Sequence, residues 1–260
     1  MKEQTHIGMN RTGLQMSPFD AGSMQSPVPA SMMPATPGDD SALAELRSTY
    51  ITGAEPLGSV PVPGTIKGAI TTGMSTLAGG QPQLLLDKLG ERLAFERTGT
   101  RLYDALITKF EATQDESTSM TLADLQQIRQ DEARHFAIVA EAIESIGGDP
   151  TSQTPCADLV GVESMGLMQA VCDPRTTIAQ SLHAILVAEL ADQAGWEMLI
   201  ALAQEHKQSA MVTDFNVALA EERTHLQRVQ QWFEEATVGR AISAGAGIDD
   251  ISDANPSHMH

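Results

Sequence analysis

Two short stretches constrain this chain more than anything else in it: Asp131-Glu132-Ala133-Arg134-His135 and Glu221-Glu222-Arg223-Thr224-His225. Each contains Glu-x-x-His. On a helix, residues three apart share a face, so the carboxylate and the imidazole can reach one common point. Either motif alone is commonplace, and the setting gives the pair its weight. Ile128, Glu132, His135, Val139, Ile143 and Ile146 recur at helical spacing, as do Phe215, Ala218, Leu219, Glu222, His225, Leu226, Val229 and Phe233. Both motifs therefore fall on the stripe of a helix that faces a core. An ionised carboxylate there is costly unless a metal or a partner compensates it.

Four long helices follow from the same pattern. The first is predicted over about 82–113, opened by Pro82, with Leu85, Leu89, Leu93, Tyr103, Leu106 or Ile107, and Phe110 on its apolar face. One acid, Glu96, interrupts that face. Thr121 with Asp124 resembles a capping box and opens a second helix over about 122–146, ended by Gly147-Gly148 and Asp149-Pro150. A long connection, 147–175, contains a short helix between Ala157 and Cys172. Asp173-Pro174 reads as an N-cap followed by proline at the first helical position, which opens a third helix over about 174–206. Ile178, Leu182, Ile185, Trp196, Leu199 or Ile200, and Ala203 form its stripe, again broken by one acid, Glu189. After a short break near Lys207 to Ser209, a fourth helix runs to about residue 236.

The halves repeat one another. With Glu96 set on Glu189, Tyr103 falls on Trp196 and Asp104 on Glu197, and the two Glu-x-x-His motifs follow at similar distances. Each half thus reads as a helical hairpin with one lone core glutamate and one Glu-x-x-His. A short, long, short order of loops joins two antiparallel hairpins by a crossover, because the long link must return along a whole helix at about 1.5 Å per residue.

This order, Glu then Glu-x-x-His, twice, resembles the ligand set of the ferritin-like superfamily of dinuclear carboxylate proteins, which includes ferritins, bacterioferritins and rubrerythrins. The resemblance covers residues 82–236. It implies an all-α, ferritin-like four-helix bundle in which Glu96, Glu132, His135, Glu189, Glu222 and His225 hold two iron ions, with two manganese ions or a mixed pair as alternatives. Glu132 and Glu222 would bridge, and each histidine would serve one ion. It also implies an oxidoreductase that reduces O₂ or H₂O₂ while oxidising Fe²⁺ or a small reductant. An iron-storage protein with ferroxidase activity and a metal-free structural bundle stand as alternatives. The chain departs from rubrerythrins in lacking Cys-x-x-Cys, and from a minimal ferritin in its N-terminal extension.

Three regions result: a largely disordered or irregular extension over 1–80, disordered to about residue 40, with one or two helical turns over Ser41–Tyr50 and a short helix over Thr65–Ala78; the helical domain over 81–238; and a flexible tail over 239–260. A net charge of -18 argues against nucleic acid or an anionic membrane as partner. No segment approaches the roughly 18 apolar residues of a membrane span, and no apolar leader is evident near Met1. The two cysteines, Cys156 and Cys172, make no disulfide framework and suggest a reducing, cytoplasmic setting. The expected partners are the oxidant, an electron donor and further copies of the chain in a homo-oligomer. Tyr103 and Trp196 read as core aromatics or as electron relays. Asp192 is either an acceptor for a ligand imidazole or a surface or helix-pair residue. Asp131 and Glu221 read as facing outward, and His183 and His206 as outside the site.

Overall fold

The computed structural model describes residues 41–61, 82–113 and 116–239. The expectations of disorder before residue 41, of a short helix over 65–78 and of a mobile tail after 239 lie outside the described residues, as does the boundary placed at residue 80. Described residues are helical or irregular, with no strand among them: the protein is all-α. None of these helices is long and apolar enough to cross a membrane.

The chain divides into two compact units, Met1–Glu55 and Pro56–His260. In the first, α1 (Ser41–Gly53) buries no residue. It is longer than the one or two turns expected from Ser41 to Tyr50.

The second unit holds α2 (Pro82–Thr113), α3 (Leu122–Ser145), α4 (Pro155–Cys172), α5 (Ile178–Glu205) and α6 (Ser209–Glu234), closed by a π-helical turn, Glu235–Gly239. The capping box at Thr121 is present: its hydroxyl accepts from Asp124 N–H and the Asp124 carboxylate accepts from Thr121 N–H. At the other end of α3, Gly147 takes φ 84°, its N–H reaches Glu144 and the Gly148 N–H reaches Ile143. This is a Schellman ending, in which glycine occupies the left-handed position without a Cβ penalty.

The start of α5 differs from expectation. Asp173 caps the C-terminus of α4, and its side chain accepts from the backbone N–H of Arg175. The N-cap of α5 is Thr177, in a full capping box with Gln180. Two N-cap signals compete over these residues, and Thr-x-x-Gln prevails because it satisfies two helix-end donors reciprocally.

α2 and α3 run antiparallel. Leu86 packs on Gly148, Leu93 and Arg97 share a hollow with Phe136, and Asp104 pairs with Arg129. α5 and α6 do the same, through Trp196 on Phe215, Glu197 with Arg223, and His183 stacked on Phe233. The crossover is more than a connector. α4 lies along α2 and also touches α5, while α2 meets α5 and α3 meets α6. Thr154 caps α4 and fits over Gly90 of α2, where a Cβ would stand 2.5 Å from its hydroxyl. Cys156 and Cys172 sit at opposite ends of α4, about 24 Å apart at 1.5 Å per residue, so they cannot join in a disulfide. Burial and the Asp87 carboxylate push the Cys156 thiol up to about 11, which favours the protonated thiol over the thiolate.

Two apolar clusters fill the interior. One contains Leu102, Tyr103, Leu106, Leu125, Ile128, Leu182, Ile185, Val229 and Trp232. The other contains Leu85, Leu89, Leu93, Val139, Ile143, Trp196, Leu199 and Phe215. Along α2, α3, α5 and α6, between the bulk of the two clusters, lies a layer of buried charged residues.

Candidate metal centre

That layer contains Glu96, Glu132, His135, Glu189, Asp192, Glu222 and His225, none more than 3 % exposed. α2, α3, α5 and α6 each carry their members at mid-helix, where the apolar stripes put them. Glu96, His135 and Glu222 bring one ligand atom each within 4.8 Å of one another. So do Glu132, Glu222 and His225, and likewise Glu96, Glu132, Asp192 and Glu222. Glu222 is common to all three groups and stands between the imidazoles: its Oε1 is 2.6 Å from His135 Nδ1 and its Oε2 is 3.4 Å from His225 Nδ1. Such a carboxylate could hold a metal ion together with either histidine.

These contacts are close but misaligned for hydrogen bonding. Both oxygens of Glu96 and of Glu222, one oxygen each of Glu132 and Glu189, and the Nδ1 atoms of His135 and His225 are buried without a hydrogen-bond partner. Leaving a buried polar atom unsatisfied costs about 1–3 kcal/mol, more when it is charged. Eight such atoms gathered in one buried layer could be satisfied by bound cations.

The outer nitrogens of the histidines are held. His135 Nε2 donates to Glu221 at 2.8 Å and His225 Nε2 to Asp131 at 3.3 Å. A carboxylate only accepts, so the proton sits on Nε2 and Nδ1 turns its lone pair to the cluster once its own proton leaves. Asp131 and Glu221 therefore do not face outward: each reaches across to the histidine of the other motif. Arg134 spans both, 2.8 Å from Asp131 and 2.6 Å from Glu221. The cue was present in the sequence, since both motifs read acid-Glu-x-x-His.

Glu189 departs from the expected set. It is buried in the layer, yet belongs to none of the converging groups. Its Oε1 accepts the Tyr103 hydroxyl at 2.5 Å, leaving Oε2 without a partner. Tyr103 is thus a core aromatic whose polar atom is used on a candidate ligand. Trp196 lies edge-on to His135, ring centroids 5.6 Å apart.

Asp192 proves to be a helix-pair residue. Arg92 of α2 donates to its side chain at 2.8 Å and to its carbonyl at 2.9 Å, and stands 3.1 Å from Glu96. Arg92 is 5 % exposed, with its guanidinium over Phe95. Gly195 makes room for it, because a Cβ there would lie 2.4 Å from its Nη1. The two halves diverge at this level. Asp192 stands one turn beyond Glu189, whereas Gly99 stands one turn beyond Glu96 and leaves the space that the Glu132 carboxylate occupies.

Burial, with Asp192 nearby, raises Glu96 well above the usual carboxylate range, and burial beside Glu222 does the same to Glu189. Burial also raises Asp192 well above its range, and Glu132 is raised by burial and by Glu222. For Glu222 burial works upward too, but the two imidazoles outweigh it and hold the group down at about 2. Burial would lower His225, yet Glu132 and Glu222 take it up to about 11. His135 is raised as well, against burial, chiefly by Glu222. Without a cation, the layer limits its own repulsion by holding protons.

His183 is exposed against Phe233 and His206 caps the C-terminus of α5. Neither reaches the layer. No family model, curated protein or solved structure matched this chain.

Proposed function

We propose that the chain is a ferritin-like four-helix protein that binds two iron ions, or manganese ions, and reduces O₂ or H₂O₂ with oxidation of Fe²⁺ or a small reductant. One observation carries this reading: eight buried oxygen and nitrogen atoms without hydrogen-bond partners belong to the six residues of the repeated Glu, Glu-x-x-His pattern. The donor set suits iron or manganese, since carboxylates outnumber imidazoles and no thiolate is present.

Glu96, Glu132, His135, Glu189, Glu222 and His225 would hold the ions, with Glu222 between them. The bound metals supply the redox chemistry. The chain's own contribution is positional and electrostatic. Glu221 and Asp131 fix the ring orientation of His135 and His225 and keep the proton on Nε2. Tyr103 holds one oxygen of Glu189. Arg92 keeps Asp192 paired and stands against Glu96, so one positive charge offsets one of the five buried carboxylates. The apolar clusters lie on both sides of the layer, whose residues are at most 3 % exposed.

Anaerobic titration with Fe²⁺, followed by O₂ or H₂O₂ and monitored optically, tests the proposal. Saturable Fe²⁺ binding and an absorbance change on adding oxidant are expected, with both lost in the Glu222→Ala variant. Fe²⁺ that oxidises no faster than in protein-free buffer would overturn the enzymatic reading.

A further inference from the structure

We propose that ions reach the buried layer through the seam between α3 and α6, and that Arg134 is the latch that closes this route. The inference rests on the metal-binding reading above and extends it to how the site is filled.

On α2, α3, α5 and α6 the apolar clusters lie on both sides of the layer, so an ion must pass between helices. Two hollows lie along the α3–α6 seam. One, of about 210 Å³, is bordered by Gln127, Thr224 and Arg228 and also by Asp131, Glu221 and His225. His225 belongs to the layer itself, so this hollow carries solvent up to a candidate ligand. The other, of about 560 Å³, is bordered by Arg134, Ile138, Met211 and Phe215. Arg134 and its two carboxylate partners thus stand along the seam beside the layer.

The chemistry at this point is that of an exchangeable cation. Arg134 places one guanidinium nitrogen 2.8 Å from Asp131 and the other 2.6 Å from Glu221. Its side chain is 45 % exposed, against 33 % for Glu221 and 11 % for Asp131. The cation is therefore on the solvent side and the carboxylates point inward, where they already hold the histidines. An arriving divalent ion meets two oxygens neutralised by a removable side chain. When Arg134 swings into solvent, the freed carboxylates attract the ion at the rim of the hollow, with His225 beyond them. When it returns, the pair is neutral and the histidines are fixed again.

A latch alters the height of a barrier and leaves its two ends unchanged, so it must change association and dissociation by the same factor. Lysine retains the charge and loses the fork that spans two carboxylates. The test is stopped-flow uptake of Co²⁺ by the full, chelator-stripped chain, followed by its visible absorption, with release measured by chelator competition. Arg134→Lys should speed both uptake and release by the same factor, up to about fivefold, with Kd unchanged within about twofold. Thr224→Trp, an exposed position at the mouth of the smaller hollow, should slow both by a similar factor with the same Kd. A purely structural Arg134 would instead raise the release rate alone and weaken Kd, which overturns the latch. Unaltered rates in Thr224→Trp overturn the route. A wild-type chain that takes up no Co²⁺ removes the metal reading itself, a result distinct from bound Co²⁺ with unaltered rates.

Discussion

Replacing Gly99 by alanine tests the interior of the layer by the sign of a stability change. Gly99 is in the middle of α2, where helix propensity alone favours alanine by about 1 kcal/mol. A Cβ at this position would lie 2.1 Å from Glu132 Oε2 and 3.0 Å from its Cδ. Ordinary contact needs about 3.4 Å or more, so the carboxylate must retreat by over 1 Å within a site where Glu132 is 1 % exposed. Overpacking of this kind costs about 1–3 kcal/mol. The net effect expected is between roughly zero and 2 kcal/mol of destabilisation. Gly166 of α4 is the control: it is exposed and a Cβ there meets nothing within 4 Å, so Gly166→Ala should stabilise by about 0.5–1 kcal/mol. Urea unfolding of both full-length variants measures the difference, and metal titration shows whether Glu132 has been displaced from the site. If Gly99→Ala stabilises as much as Gly166→Ala and binds metal as the wild type does, the placement of Glu132 against α2 is wrong.

Other perturbations follow from the same geometry. In the metal-free chain, Glu96, Glu189 and Asp192 are raised and His225 stands at about 11. The folded state then holds protons that the unfolded carboxyls release above about pH 4 and the unfolded imidazole above about pH 6.5. Stability therefore falls as pH rises; Glu222, depressed to about 2, opposes this only at acid pH. Melting of chelator-treated protein should occur at a lower temperature at about pH 8.5 than at about pH 6, and a rise would contradict the assignment. Metal should reverse the loss, because ligands must be deprotonated to bind it, and should raise the melting temperature by mass action. At the end of α5, Lys207 adopts φ 57° in a Schellman ending where glycine is favoured. Lys207→Gly should stabilise the chain by up to about 1 kcal/mol, read from the denaturation midpoint.

The sequence displayed helices and the depth of the layer well, because both depend on periodicity. Glu96 and Glu189 were visible as single acids in leucine-rich stripes. Arg92 was not: it precedes Leu93 and follows Leu89, and its burial depends on Asp192, 100 positions away. Asp131 and Glu221 lie beside the core stripe on a helical projection, and only a second helix carrying a histidine at the same height draws them inward. The orientation of Glu189 is set by Tyr103, a rotamer choice that spacing does not specify. The start of α5 at Thr177 is masked in the sequence because a proline after Asp173 imitates the opening of a helix, while the capping box lies four residues further on. The break near Lys207 is legible in the sequence, but its left-handed conformation is not, since such a turn is usually marked by glycine.

Metal content is the most direct test of the central claim. The full chain, loaded anaerobically with excess Fe²⁺ or Mn²⁺ and freed of unbound ions, should retain two ions per chain by elemental analysis. His135→Ala and His225→Ala should each lower that content, since each removes a nitrogen that points into the layer, whereas His183→Ala and His206→Ala should leave it unchanged. A folded wild-type chain that retains no metal, or one whose content is the same with both layer histidines replaced, would contradict the account.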